Sequence, residues 1–521
     1  MAVHTAPAAE DVLPPFTPTK PFLRSLTLLT PSTMRTTLTR LLTNVQFRAT
    51  LLCFVIIVTV DMAGYLSSAP QVRLFESIMC LDYYRENDPS LIGGDGSVPE
   101  ELCKVDSVQR EIAMLNGMQT LFSNIPGVVL AIPFGVMADR YGRRPMLMLT
   151  LLGLSLSSAW VLLICWFTLP IKLTWLSSLF YTLGGGASVG SALILMIIAD
   201  MTPAAQRSTL FFHLQACVLL SELVAPLLGS LLMSRNVWIP LLAGLAIQTL
   251  GIPIAALLPE TKSAHPTTTD AESSEDEETA PPPKKEGESD YRAVFSFLLA
   301  DLNTALLVLT FLIATIGRQA LEILLQYVSK RYSWPLATAN ILFSLRAGIN
   351  LLLLLFLLPF IGTTLLSRFG YTSAGKDLLI ARVSIVLMAA GFGVIGVSPG
   401  AAGMVLGLGV YTLGSGFGAA ARSLVTGMVR REEVGRLYTA IAVADMVGGL
   451  VAGPALSWCF AVGMAWGGVA VGLPFLVAAG LFVAVGGVVM GVKIRDGGEG
   501  REGYVRVEGE EEEEREERER E

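Results

Sequence analysis

The chain contains little charge for its length. Only 16% of its 521 residues are Asp, Glu, Lys or Arg, whereas 52% are hydrophobic, and the mean hydropathy is +0.59. Soluble domains carry about 25% charged residues, so this composition excludes a soluble protein of this size. Excess positive charge is also lacking, because the net charge is −7. Nucleic acid is therefore not an expected partner.

Nucleotide-binding signatures are missing as well. No stretch fits Gly-x-x-x-x-Gly-Lys-Ser/Thr, the loop that cradles the phosphates of ATP in many pumps. We therefore expect no enzymatic activity, no cofactor and no metal. A process driven by this chain should draw its energy from an ion gradient, and we expect that gradient to be one of protons.

Long apolar runs fill most of the sequence. A membrane-crossing helix needs roughly 20 apolar residues, and about twelve runs qualify, in two groups of six. We predict an all-α membrane protein built from two six-helix bundles. The predicted divisions are a disordered cytoplasmic tail (1–48), the first bundle (49–258), a cytoplasmic linker (259–298), the second bundle (299–492) and an acidic cytoplasmic tail (493–521).

A basic turn between the second and third runs sets the expected orientation. Residues 135–145 read Gly-Val-Met-Ala-Asp-Arg-Tyr-Gly-Arg-Arg-Pro, with three arginines. Loops rich in Lys and Arg stay on the cytoplasmic side. We therefore predict that this turn and both termini are cytoplasmic, in the plasma membrane or alternatively the vacuolar membrane.

The same turn resembles the loop between helices two and three of the major facilitator superfamily, a family of secondary transporters. The matching positions are Gly135, Asp139, Arg140, Gly142, Arg143 and Arg144. The resemblance implies that Gly135 permits close helix contact and that Asp139 faces the N-terminus of helix eleven. It also implies that the arginines form ion pairs that latch the cytoplasmic side.

Two further stretches point to particular branches of that family. Residues 222–230 look like a degraded form of the Gly-Pro motif of drug–proton antiporters, with Ala225 and Ser230 where glycines are expected. Residues 69–84 and 327–334 resemble fungal members related to folate and haem-type carriers. Many such fungal relatives export small organic molecules, so the resemblance implies secondary-metabolite or drug export.

Two of the six cysteines fall outside the predicted crossings. Cys80 and Cys103 lie in the first hydrophilic loop, which the topology places on the outer, oxidising side. Disulfides persist in such compartments, so we predict a disulfide between them.

Charged residues at membrane depth are costly and are commonly functional. We predict that carboxylates among them bind and release a proton, although structural ion pairs are the alternative. Arg318 and Glu322 are four residues apart on one predicted helix and are expected to pair. The candidate set for substrate binding and proton coupling is Asp61, Glu222, Arg318, Glu322, Arg346 and Asp445.

These observations lead to one preferred function and two rivals. We expect a monomeric, proton-coupled exporter of a small organic molecule that works by alternating access across the lipid bilayer. The first rival is proton-coupled uptake of an organic anion, held by Arg318 and Arg346. The second is a transporter-like receptor or scaffold that signals through the acidic tail.

Overall fold

A computed structural model describes residues 45–94, 96–202, 204–260, 302–361, 373–429 and 434–491. Most of the predicted N-terminal tail and linker, and all of the predicted acidic tail, lie outside these ranges. Within them the chain is helical and contains twelve helices long and apolar enough to cross a membrane, which confirms the predicted fold class. In chain order, α1 to α12 are Val45–Asn87, Asp106–Tyr141, Arg143–Trp166, Ile171–Met201, Leu210–Met233, Trp238–Ala256, Val308–Tyr332, Leu336–Leu357, Gly375–Val397, Ala401–Gly427, Leu437–Trp466 and Gly468–Gly491.

The first helix is longer than predicted. We expected it to end at Pro70, but α1 continues to Asn87 with Pro70 inside it. Its last turns are held by apolar side chains at helical spacing, since Leu74, Phe75 and Met79 are all buried. The connection to α2 is therefore confined to residues 88–105, which include two 3-10 turns, and is shorter than a loop that begins after Pro70 would be.

Among the described residues, five crossings change helical type along their length, including a π-helical segment in α8 at Leu353–Leu357 and a 3-10 segment that begins α12 at Gly468–Gly472. A 3-10 segment begins α4 at Ile171–Leu183, and another interrupts α7 at Leu321–Ile323. Glycine permits the break in α4, because Gly185 has a φ of 75°, in the left-handed region that other residues avoid. In α10, Gly414–Gly416 form a turn between two α-helical pieces.

Two helix pairs join the halves of the bundle. The first-half helices α2 and α5 pack against the second-half helices α11 and α8, respectively. Because successive helices alternate in direction, the loops fall at two ends. We call them the disulfide end, which carries the loop between α1 and α2, and the arginine-turn end, which carries the loop between α2 and α3.

Candidate functional site

The arginine turn is held together by contacts inside the first half. Gly142 has a φ of 100°, and a Cβ at this position would lie 2.6 Å from the carboxyl carbon of Glu260. That carboxylate accepts a hydrogen bond from the backbone N–H of Arg143 at 3.0 Å. The Arg143 guanidinium forms an ion pair with Asp200 at the end of α4 and a longer one, 3.9 Å, with Asp139.

Within the described ranges, the other two arginines of the turn, Arg140 and Arg144, do not take part in this group of contacts around Arg143. Arg140 lies with its guanidinium carbon 5.5 Å from the ring centroid of its neighbour Tyr141. Arg144 is half-buried at the start of α3 and makes no ion pair with the described residues.

The contact implied for Asp139 is not made in this structure. Its side chain is 72% exposed, and Arg143 is its ion-pair partner among the described residues, rather than the N-terminus of α11. Gly135 likewise makes no close helix contact, because a Cβ there would meet no atom within 4 Å. The physical reason is that α2 and α11 separate towards the arginine-turn end.

That separation is visible along one face of α2. Gly117 and Gly135 are 18 residues apart, which is five helical turns, so they lie on the same face. A Cβ on Gly117 would lie 2.4 Å from Oγ of Ser457 on α11, whereas one on Gly135 would be free. Between them, Asn124 donates to the carbonyl of Gly449 at 3.2 Å. The halves therefore meet closely at the disulfide end and part beyond Asn124.

At the disulfide end, the loop between α1 and α2 binds the second half directly. Cys80 and Cys103 form a disulfide at the base of this loop. Lys330 of α7 contacts Asp106 at 2.5 Å and donates to the carbonyl of Lys104. Glu100 accepts a hydrogen bond from the backbone N–H of Leu336, the first residue of α8, at 2.8 Å.

A buried carboxylate that the sequence analysis missed organises this loop. Glu76 is 1% exposed and is bound by Arg73 at 2.9 Å, Lys104 at 2.7 Å and Gln109 at 2.6 Å. Burial of a charge is tolerated when it is paired and hydrogen-bonded. Glu76 therefore fixes the loop that carries the contacts to the second half.

Midway along the bundle, two of the candidate residues form a pair that joins the halves. Glu222 of α5 is 5% exposed and forms an ion pair with Arg346 of α8. Asp61 and Tyr65, four residues apart on α1, both interact electrostatically with Glu222. This set, with Glu222 and Arg346, is called the central pair cluster below.

A second group of charges lies within the second half. Asp445 of α11 is shared by Arg318 of α7 at 3.4 Å and Arg422 of α10 at 3.3 Å. Thr315 donates to the same carboxylate at 2.5 Å and accepts from Arg318 at 2.7 Å. Two guanidinium groups thus share one carboxylate.

The expected pairing of Arg318 with Glu322 is wrong. The 3-10 segment that begins at Leu321 advances the chain by about 120° per residue instead of 100°, so the two side chains no longer share a face. Arg318 turns to Asp445, and Glu322 makes no hydrogen bond or ion pair with the described residues. Arg422 was missed because α10 was expected to end at residue 421.

Comparison with known proteins identifies the family. The family model described as Major Facilitator Superfamily matches residues 109–453. The chain belongs to this superfamily. It is therefore a membrane transporter with a small-molecule substrate, and its family members are not enzymes.

Relatives and solved structures agree with that assignment. The chain is 40% identical over 461 residues to the MFS efflux pump atnC of Emericella nidulans, covering 85% of this chain and 87% of the relative. It is 32% identical to the efflux pump ustT of Aspergillus flavus, over 78% and 81% of the two chains. A more distant relative is the proton-coupled folate transporter of Bos taurus, 25% identical over 78% and 85%. A D-xylose–proton symporter shares the fold, with a TM-score of 0.57 at 16% identity over 86% and 98%.

Proposed function

We propose that this transporter exports a small organic molecule from the cytoplasm and is driven by inward proton flow. Export is supported by the similarity to two fungal proteins named as efflux pumps. The observation that carries the mechanism is the ion pair between Glu222 and Arg346, because it joins the two halves at membrane depth.

Two independent features support the orientation. The arginine turn carries positive charge, which favours the cytoplasmic side, and the Cys80–Cys103 disulfide lies at the opposite end, as expected for an oxidising exterior. With this orientation, the halves are closed on the outside and separated towards the cytoplasm. That is the state in which an exporter loads its substrate.

The central pair cluster supplies a reason for proton coupling. Asp61 and Glu222 are two carboxylates close enough to interact electrostatically, and Glu222 is the one that forms an ion pair with the guanidinium of Arg346. An uncompensated charge in the membrane interior is costly, so a proton would balance the cluster. A substrate or proton that alters the Glu222–Arg346 contact would change how firmly α5 and α8 hold the halves together.

The test is export from energised cells, with a panel of organic compounds and with or without a protonophore. We expect export that the protonophore abolishes and that falls at least about 100-fold in Arg346→Gln, because Glu222 would be left at membrane depth without its partner. Export that persists without a gradient would contradict proton coupling.

The exposed Glu86→Gln variant on α1 serves as the matched control, and it should export normally. A double variant, Glu222→Arg with Arg346→Glu, keeps the pair with its charges exchanged. Partial recovery of protein yield without recovery of export would assign the pair a coupling role beyond its structural one.

Uptake of an organic anion is the second candidate. It is favoured by the two guanidinium groups, Arg318 and Arg422, that share the single carboxylate of Asp445 and so leave one positive charge in excess. The relative named as a proton-coupled folate transporter supports it as well. Accumulation of labelled anion inside cells, abolished by a protonophore, would favour uptake over export.

A further inference from the structure

A small polar pocket lies where the two halves meet, between α2, α7 and α11. On α2 and α11 its walls come together at Gly117 and Gly453, where the backbones approach closely. Amide and hydroxyl groups and one carboxylate line it, together with a few apolar side chains. The polar lining residues are Asn116, Thr120, Gln319, Glu322, Gln326 and Ser457.

Glu322 is the charged member of this lining. Its side chain is exposed, and it makes no hydrogen bond or ion pair within the part of the chain that the structure describes. The guanidinium of Arg346 lies near enough to interact electrostatically but is bound by Glu222. Two glutamates from different halves thus differ in kind: Glu222 has a partner, and Glu322 faces a pocket.

A buried amide in the same pocket also lacks a partner. Gln326 is 3% exposed, and its Nε2 has no hydrogen-bond partner among the described residues. Buried polar groups are nearly always hydrogen-bonded, so an unpartnered one calls for an explanation. Thr120 already donates its hydroxyl proton to the carbonyl of Asn116, which leaves its oxygen as an acceptor. The pocket therefore presents acceptors, an unused amide and one negative charge.

We propose that this pocket binds a protonated amine of the substrate, with Glu322 as its counter-ion. An ammonium group donates hydrogen bonds in several directions, which suits a carboxylate surrounded by amide and hydroxyl oxygens. The Gln326 amide would bind a carbonyl or hydroxyl close to that amine. This inference rests on the proposed transport function and adds a substrate class, namely organic amines with a neighbouring polar group.

The test uses three fluorescent probes that share a dansyl group. Dansylcadaverine carries an ammonium group, its N-acetyl derivative is neutral, and dansyl-6-aminohexanoate is an anion. Each is titrated into the purified full-length protein in detergent, with no gradient. We expect the amine to bind at least about tenfold more tightly than the neutral probe, which corresponds to about 1.4 kcal/mol.

Variants assign that preference to the pocket. Glu322→Gln should weaken binding of the amine about tenfold and leave the neutral probe unchanged, whereas Glu322→Asp should retain much of the preference. Glu86→Gln, an exposed carboxylate on α1, should bind like the unaltered protein. Size-exclusion profiles establish that each variant is folded.

Three results would overturn the proposal: equal affinity for amine and neutral probe, strongest binding of the anion, or no binding of any of the three. A Glu322→Gln protein that loses affinity for all probes alike would overturn it too, because that pattern assigns Glu322 a packing role. Binding is measured without a gradient, so its outcome is independent of the export assay. The protein could show protonophore-sensitive export without preferring the amine probe, or prefer the amine probe without showing such export.

Discussion

The two ends of the bundle are built in opposite ways. At the arginine-turn end, Arg143 binds Asp139, Asp200 and, through its backbone, Glu260, all in the first half. At the disulfide end, the loop after α1 reaches across to α7 and α8. The recognisable family motif therefore stabilises one half in this structure, whereas an unremarkable loop joins the two.

This difference explains how one structure can be closed at one end and separated at the other. Alternating access requires contacts between halves that form and break in turn, around contacts within halves that persist. The arginine turn supplies persistent contacts. The disulfide loop supplies contacts that must break when the disulfide end opens, and three experiments can test this division of roles.

Removal of the disulfide should have the largest effect. Cys80 and Cys103 are separated by 23 positions, and a disulfide that closes a loop of this size contributes about 3 kcal/mol to stability. In Cys80→Ser with Cys103→Ser, we expect a clear fall in the thermal unfolding midpoint. Reducing agent should lower the midpoint of the unaltered protein in the same way and leave that of the variant unchanged.

The buried free thiol of Cys165 provides the control for this experiment. It packs in the same apolar cluster as the disulfide, and Cys165→Ala should respond to reducing agent as the unaltered protein does. Equal midpoints for the unaltered protein and the double variant would show that the loop is held by its ion pairs alone.

Two neighbouring basic side chains on α7 differ in whether they contact the other half or their own. Lys330 binds Asp106 and the carbonyl of Lys104 in the other half, whereas Arg331 donates to the carbonyls of Ser398 and Gly468 in its own half. Lys330→Met should therefore favour outward opening, and Arg331→Met should not. A partly exposed ion pair contributes roughly 1 kcal/mol or less, so the shift in population should be several-fold.

Labelling of a cysteine at the interface measures this opening. Ser230 on α5 is 8% exposed and lies 3.3 Å from Asn340 of α8, so Ser230→Cys should react with an impermeant maleimide when the outer side opens. We expect labelling several-fold faster in the Lys330→Met background. Faster labelling with Arg331→Met instead would contradict the division between contacts across halves and within them.

The sequence predicted the twelve crossings because lipid imposes continuous apolar runs, which hydropathy detects directly. It placed the end of α1 wrongly because Pro70 looked like a helix breaker, although membrane helices tolerate proline. That error made Glu76 seem part of a polar loop rather than a buried organising carboxylate.

Which charged residues pair with each other was harder to predict than which charged residues lie within the membrane-crossing helices. Glu222 and Arg346 were both singled out, but their partnership across 124 positions leaves no signal in one sequence. The pairing of Arg318 with Glu322 was wrong because spacing rules assume an α-helix, and α7 tightens at Leu321. Side-chain partners in this bundle depend on local breaks in the helices, which composition does not reveal.

The smallest predicted effect concerns Glu100 and pH. Burial alone would raise the pKa of Glu100, but Lys104, the backbone N–H of Leu336 and Arg73 outweigh it and hold the pKa below its ordinary value of 4.5. A carboxyl group with a lowered pKa stabilises the folded, closed state at pH values above its ordinary pKa. This stabilisation is lost as the pH falls through the lowered pKa. The thiolate that maleimide attacks becomes scarce at low pH, so the labelling rate of Ser230→Cys is compared at each pH with its rate in a Glu100→Gln background, in proteoliposomes acidified on the outer side. The Glu100 carboxylate should slow labelling at neutral pH, and this difference between the two proteins should disappear as pH drops below about 4.5. Glu100→Gln should therefore label faster than the protein with Glu100 at neutral pH, whereas Glu86→Gln should label like the protein with Glu86 at every pH. An identical pH profile with and without Glu100 would mean that other groups release the outer contact.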